Sequence, residues 1–138
     1  MRVFIDANIL VSVLNRKLPL FDTAARVLSL ASKKDFTLYT SPICLAIAFY
    51  FAEKKSGAGP AKRKIKIMLD HILIADSSQK SVMSAVNDPK VLDLEDGFEY
   101  YAAREAKCDY IITEDLDDFH FSEISVLSSR EFLKQIKV

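Results

Sequence analysis

Short acid-bearing stretches recur in this chain: Asp6-Ala7-Asn8 near the start, Asp93-Leu94-Glu95-Asp96 in the last third, and Thr113-Glu114-Asp115 followed by Asp117 and Asp118. Each has a local explanation. Asp6 and Asp93 read as helix N-caps, Asp96 as a first-turn acid favoured by the helix dipole, Asp117 and Asp118 as loop residues, and Glu99 and Glu105 as a solvated helix face. Their combination allows more. Were Asp6, Asp96 and Asp115 to converge, two carboxylates about 4 Å apart would repel by roughly 4 kcal/mol at an effective dielectric near 20. A third acid worsens this, so protons or cations must offset the charge. Oxygen donors without a histidine or thiolate cluster suit Mg²⁺ or Mn²⁺ better than Zn²⁺. Such ions activate water and neutralise charge developing on a phosphodiester.

Charge is unevenly spread. The 138 residues carry 19 basic and 19 acidic side chains, so the whole molecule has no basic footprint that would advertise nucleic acid. From Asp88 to Asp118, however, eleven acids face only Lys90, Arg104 and Lys107, whereas Lys54 to Lys66 holds six basic residues and no acid. Lys62, Arg63, Lys64 and Lys66 read either as a solvated helix face or as a rim that draws phosphates towards the acidic pole. His71 and His120 show no ligand spacing, and Cys44 and Cys108 lie in apolar runs that predict buried free thiols.

Alternating strand and helix patterns position these residues. Strands are expected at 2–5, 36–40, 71–75, 110–113 and 124–127. Helices are expected at 9–14, at 22–34 with Asp22 as N-cap, and at 43–54 behind Ser41 and Pro42. Further helices are expected at 61–69, at 77–86, at 94–107 and from Ser128 through Ile136, where Ser128 and Glu131 have capping-box spacing. This alternation predicts one domain over residues 1–138, a three-layer α/β/α fold with a central, mostly parallel sheet. Sites in such sheets form beyond the carboxyl ends of the strands, where Asp6 and Asp115 fall. The helix after Pro42 is apolar nearly all round, and Phe49-Tyr50-Phe51 within it fits core packing or a buried interface.

Strand–Asp6-Ala7-Asn8, Leu94-Glu95-Asp96-Gly97-Phe98 and Asp109-Tyr110-Ile111-Ile112-Thr113-Glu114-Asp115 with Asp118-Phe119 occur in an order that resembles PIN-domain proteins, above all VapC-like ribonucleases, the toxins of toxin–antitoxin pairs. The resemblance runs over essentially the whole chain, including Pro42 before the apolar helix and the terminal Glu131-Phe132-Leu133. It implies a PIN-like fold and Mg²⁺- or Mn²⁺-dependent cleavage of RNA, with Asp6, Asp96 and Asp115 as metal-holding catalytic acids. Asn8 and Thr113 would support them, with Glu95 a weaker candidate because a helix neighbour points about 100° away from Asp96. A homodimer and an antitoxin partner are further implications. The chain departs from the family where a glutamate is often found after the second strand, since it reads Leu45-Ala46-Ile47-Ala48, and Glu53 lies too far along the helix to substitute.

Other readings remain open. A PIN-like fold with an incomplete acid set fits a nucleic-acid- or protein-binding module that does not cleave. Haloacid-dehalogenase-type phosphatases need an aspartate where Asn8 stands, and receiver domains need a lysine where Thr113-Glu114-Asp115 ends the strand. No apolar run reaches the roughly 18 residues of a membrane span, and the start lacks a secretion-signal pattern, so the expectation is a cytoplasmic protein without a membrane partner.

Overall fold

Val3, Phe4 and Ile5 are completely buried and form the middle of the sheet, as a strand covered on both faces requires. In the computed structural model, which describes residues 1–136, β1 (Arg2–Ile5) pairs in parallel with β2 (Thr37–Thr40) on one side and with β4 (Tyr110–Ile112) on the other. β3 (Leu73–Ile74) extends the β2 edge and β5 (Ser125–Leu127) the β4 edge, in the order β3-β2-β1-β4-β5, all parallel. Helices cover the sheet in the three-layer α/β/α arrangement expected. The strand order reverses direction between β1 and β4, and a crevice at such a switch point is where parallel sheets hold ligands.

The helices begin largely where side-chain caps allow. Asp6 caps α1 (Ala7–Leu14), Ser41 caps α3 (Pro42–Ser56) by accepting the Cys44 N–H, and Ser78 caps α5 (Gln79–Asn87). Asp93 caps α6 (Leu94–Glu105), and Ser128 with Glu131 forms a reciprocal capping box at α7 (Ser129–Ile136), with bonds of 2.9 and 3.1 Å. α2 (Phe21–Ser29) differs from expectation. Its cap position is Leu20, Asp22 lies in the first turn, and the helix tightens into a 3₁₀ turn at Leu30–Ser32.

The connection between the helices expected at 43–54 and 61–69 is a single residue. Gly57 takes φ +88°, which favours glycine, and α4 (Ala58–Leu69) starts at once. α3 and α4 thus form a helical hairpin. Of the aromatic run on α3, Phe49 is half-buried, whereas Tyr50 and Phe51 are 52% and 45% exposed and contact each other edge to face. Core packing therefore takes only one of the three. Both cysteines are buried free thiols. No helix among the described residues is long and apolar enough to cross a membrane.

Candidate metal centre and active site

Register places the first acid. Ile5 of β1 lies opposite Ile112 of β4, so the next residues, Asp6 and Thr113, leave the sheet side by side. The Asp6 N–H bonds the Ile112 carbonyl at 3.0 Å, which holds the two strand ends together. Asp6 Oδ1 accepts the Ala7 N–H at 2.6 Å and thereby caps α1, while Oδ2 accepts the Thr113 hydroxyl at 2.8 Å. Asp6 thus caps α1 with one oxygen and is held by Thr113 through the other.

Thr113 Oγ1 is saturated. It donates to Asp6 and accepts the Asn8 amide at 3.0 Å and the Asp115 N–H at 3.0 Å. Asn8 then donates to Asp115 Oδ2 at 3.2 Å and accepts the Glu114 N–H at 3.2 Å. A hydrogen-bonded chain Asp6–Thr113–Asn8–Asp115 therefore links the loops after β1 and β4. Asp115 itself is exposed and joins Asp6 through these intermediaries. Its neighbour Glu114 turns elsewhere, accepting the Ser129 N–H and hydroxyl at 3.2 and 2.7 Å to cap α7.

Asp96 arrives from α6. Gly97 beside it packs so tightly that a Cβ there would stand 2.5 Å from Val91 Cγ1, so any larger residue would force Val91 or the first turn of α6 to shift. Asp96, Glu95 and Glu99 offer ligand atoms within 4.8 Å of one another. A second such group is Asp6, Cys44 and Glu99. The Cys44 thiol lies 3.0 Å from Glu99 Oε1 and 3.8 Å from Asp6 Oδ1.

Glu99 is where the structure corrects the sequence reading. Far from a solvated face, it is 1% exposed, pressed between Asp6 and Cys44. Glu105, two turns on, does face solvent and accepts the Ser78 hydroxyl at 2.7 Å. The signal that could have found Glu99 is its i, i+3 spacing from Asp96, which puts both on one side of a helix. Cys44 was readable only as buried.

The electrostatics follow from burial and like charge. Burial first, then a hydrogen bond with Asp6 and the Asp6 charge, pushes Glu99 up to about 11, so the metal-free site keeps it protonated. Asp96 is pushed up to about 7 by burial and then by Asp118, Asp93, Asp6 and Glu95. Glu95 and Asp118 are raised as well, and the Cys44 thiol is raised by burial followed by Glu99 and Asp6. The charges that raise Asp96 come from Asp118, Asp93, Asp6 and Glu95. Asp118, read from sequence as a loop residue, thus belongs to this acid pole. Hard oxygen donors in excess, with protons in place of cations, fit Mg²⁺ or Mn²⁺.

The basic segment divides. Lys62 and Lys66 are exposed and flank an apolar groove between α3 and α4 lined by Leu45, Phe49, Ile65 and Leu69. Arg63 is exposed. The Lys64 ammonium instead bonds the Leu14 carbonyl at 3.3 Å and the Ser56 hydroxyl at 3.5 Å, while Lys55 bonds the Asn15 carbonyl. These two lysines satisfy carbonyls left open at the end of α1.

Comparison with known proteins agrees with this architecture. The chain is 23% identical over 137 residues to Ribonuclease VapC1 of Aquifex aeolicus (strain VF5), covering 97% of this chain and 94% of that protein. Its fold is similar to the crystal structure of VapBC2 from Rickettsia felis bound to a DNA fragment from their promoter, with a TM-score of 0.71 at 22% identity over 93% of this chain and 98% of that one. It is also similar to VapC20 of Mycobacterium tuberculosis, described as a Sarcin-Ricin loop cleaving toxin, with a TM-score of 0.61 at 16% identity over 79% and 86% of the two chains. The family model for the PIN domain matches residues 2–117, and the chain belongs to the PIN-domain family.

Proposed function

We propose that this protein is a Mg²⁺- or Mn²⁺-dependent endoribonuclease that hydrolyses RNA phosphodiesters as the toxin of a toxin–antitoxin pair. The observation that supports this reading is the pair of ligand-atom groups Asp6–Cys44–Glu99 and Glu95–Asp96–Glu99, which share Glu99, with Asp115 bonded to Asp6 through Asn8 and Thr113. The names of its relatives, Ribonuclease VapC1 and the Sarcin-Ricin loop cleaving toxin VapC20, support it.

In this reading Asp6, Asp96 and Asp115 hold the metal. When bound, the metal supplies a water activated at neutral pH and neutralises charge developing on the phosphodiester. Thr113 keeps Asp6 Oδ2 in one orientation, and Asn8 does the same for Asp115. Glu95, exposed on the first turn of α6, adds negative charge at the rim. Lys62, Arg63 and Lys66 offer free positive charge to the RNA backbone, with Lys64 contributing less because its ammonium is already bonded. The antitoxin is the protein partner in this reading, a homodimer is the working assembly, and the substrate places the protein in the cytoplasm.

The test is cleavage of a mixed RNA pool with Mn²⁺ by wild type, by Asp96→Asn, and by wild type with EDTA. Cleavage abolished in both controls, by at least ~100-fold, is the expected result. Equal background in all three would replace the nuclease with a module that holds nucleic acid or a partner protein without cutting.

A further inference from the structure

Glu99 alone belongs to both groups of closely spaced ligand atoms found among the described residues. It stands with Asp6 and Cys44 on one side and with Glu95 and Asp96 on the other, every ligand atom within 4.8 Å of the rest of its group. Its carboxyl is buried, yet among the described residues it caps no helix and answers no cation. Its one neutral side-chain partner is the Cys44 thiol, at 3.0 Å. A leucine or glutamine would fill the same space, so packing does not explain an acid in this position.

α3 explains it by what it lacks. Between Cys44 and Ala48 this helix carries no carboxylate, and Cys44 is the residue of that stretch whose side chain reaches the acids. A thiol there is a small donor that leaves room for a carboxyl arriving from the opposite helix. Acids from both helices would add a further like charge where Asp6 and Asp96 already repel. Asp96 and Glu99, three residues apart on α6, lie on one face of that helix, so a single element can present two carboxylates to what Asp6 faces.

We propose that Glu99 is the fourth carboxylate of the metal site, supplied by α6 in place of an acid on α3, and that the Cys44 thiol orients it. This rests on the reading of the acid pole as a metal site. The replacement makes the acid set complete by count while changing the direction from which one ligand comes.

Mn²⁺ titration calorimetry on the full chain tests it, using wild type, Glu99→Gln, Cys44→Ala and Asp96→Asn. Glu99→Gln, which keeps the side-chain volume, weakens Mn²⁺ binding by at least about tenfold, while its metal-free Tm is no lower than that of wild type. Cys44→Ala produces a smaller loss in the same direction. Wild-type affinity in Glu99→Gln, with binding lost in Asp96→Asn, overturns this proposal and leaves the metal site standing. No binding by wild type overturns both. Should Glu99→Gln not fold, anomalous diffraction from Mn²⁺-soaked wild-type crystals decides. An ion in direct contact with the Glu99 carboxylate supports the proposal, and an ion held by Asp6 and Asp96 with Glu99 outside its coordination shell overturns it.

Discussion

Two populations of carboxylates share this molecule, and they are displaced in opposite directions. Glu131 accepts the Ser128 N–H and Asp88 accepts the Lys90 N–H and the Tyr101 hydroxyl, and these bonds hold both below the usual carboxylate range. At the sheet's carboxyl end, Glu99, Asp96, Glu95 and Asp118 are all raised, with burial the largest cause and neighbouring acids among the others. The first population is electrostatically complete as it stands. The second is complete only with protons or a cation. Residue type is the same in both, so the distinction lies in whether donors or other acids surround the carboxyl. Asp6 and Asp93 span the contrast, since each caps a helix and also adds charge to the acid pole.

The contrast can be tested at both ends, the largest effect coming from the network that orients the acids. Thr113→Val keeps the shape but removes the hydroxyl that joins Asp6, Asn8 and Asp115, so Mn²⁺ affinity and RNA cleavage fall by ~10–100-fold. Unchanged Mn²⁺ affinity would show that the network serves only the fold. A smaller effect is the pH dependence of stability in EDTA. Glu99 is raised from an ordinary 4.5 to about 11 and Asp96 from 3.8 to about 7, so the folded chain keeps protons that the unfolded chain has released. Their contribution is therefore full at low pH and is lost as pH rises, from 3.8 to about 7 for Asp96 and from 4.5 to about 11 for Glu99, with a limiting slope of about 1.4 kcal/mol per pH unit for the Glu99 proton alone. Urea melts at pH 5 and pH 8 should show the decline, and Glu99→Gln should make it shallower; a steeper or identical slope in the variant contradicts the assignment. The smallest effect belongs to the other population. Glu131→Ala lowers Tm slightly through loss of the α7 cap and leaves Mn²⁺ affinity unchanged, and altered affinity would mean that the two populations are coupled.

Much of the fold was legible because its signals are local. Ser41-Pro42, Asp93 and the Ser128–Glu131 pair mark helix starts through bonds that span only a few residues. Val3 to Ile5 and Tyr110 to Ile112 are apolar enough to announce central strands. Asp22 misled because the same aspartate suits an N-cap and a first turn, and the helix begins one residue before it, at Phe21. The third strand shrank to Leu73–Ile74 because β2 offers it pairing only at Tyr39 and Thr40. Lys64 was readable as basic, but its use at the end of α1 depends on a helix fifty residues away.

By itself, then, the sequence determined the alternation of strands and helices, the caps, and the carboxylates placed just beyond strand ends, because periodicity and capping are short-range properties of the chain. Only the tertiary structure decided that Asp6 and Thr113 leave the sheet in register, that Asp118 belongs to the acid pole, and that Glu99 faces inward against Cys44 rather than out to water. Helical spacing states which residues share a face, but which face meets the core is set by the elements packed against it. That is why the lack of an acid between Cys44 and Ala48 was plain in the sequence, and the glutamate on α6 that meets Cys44 was not.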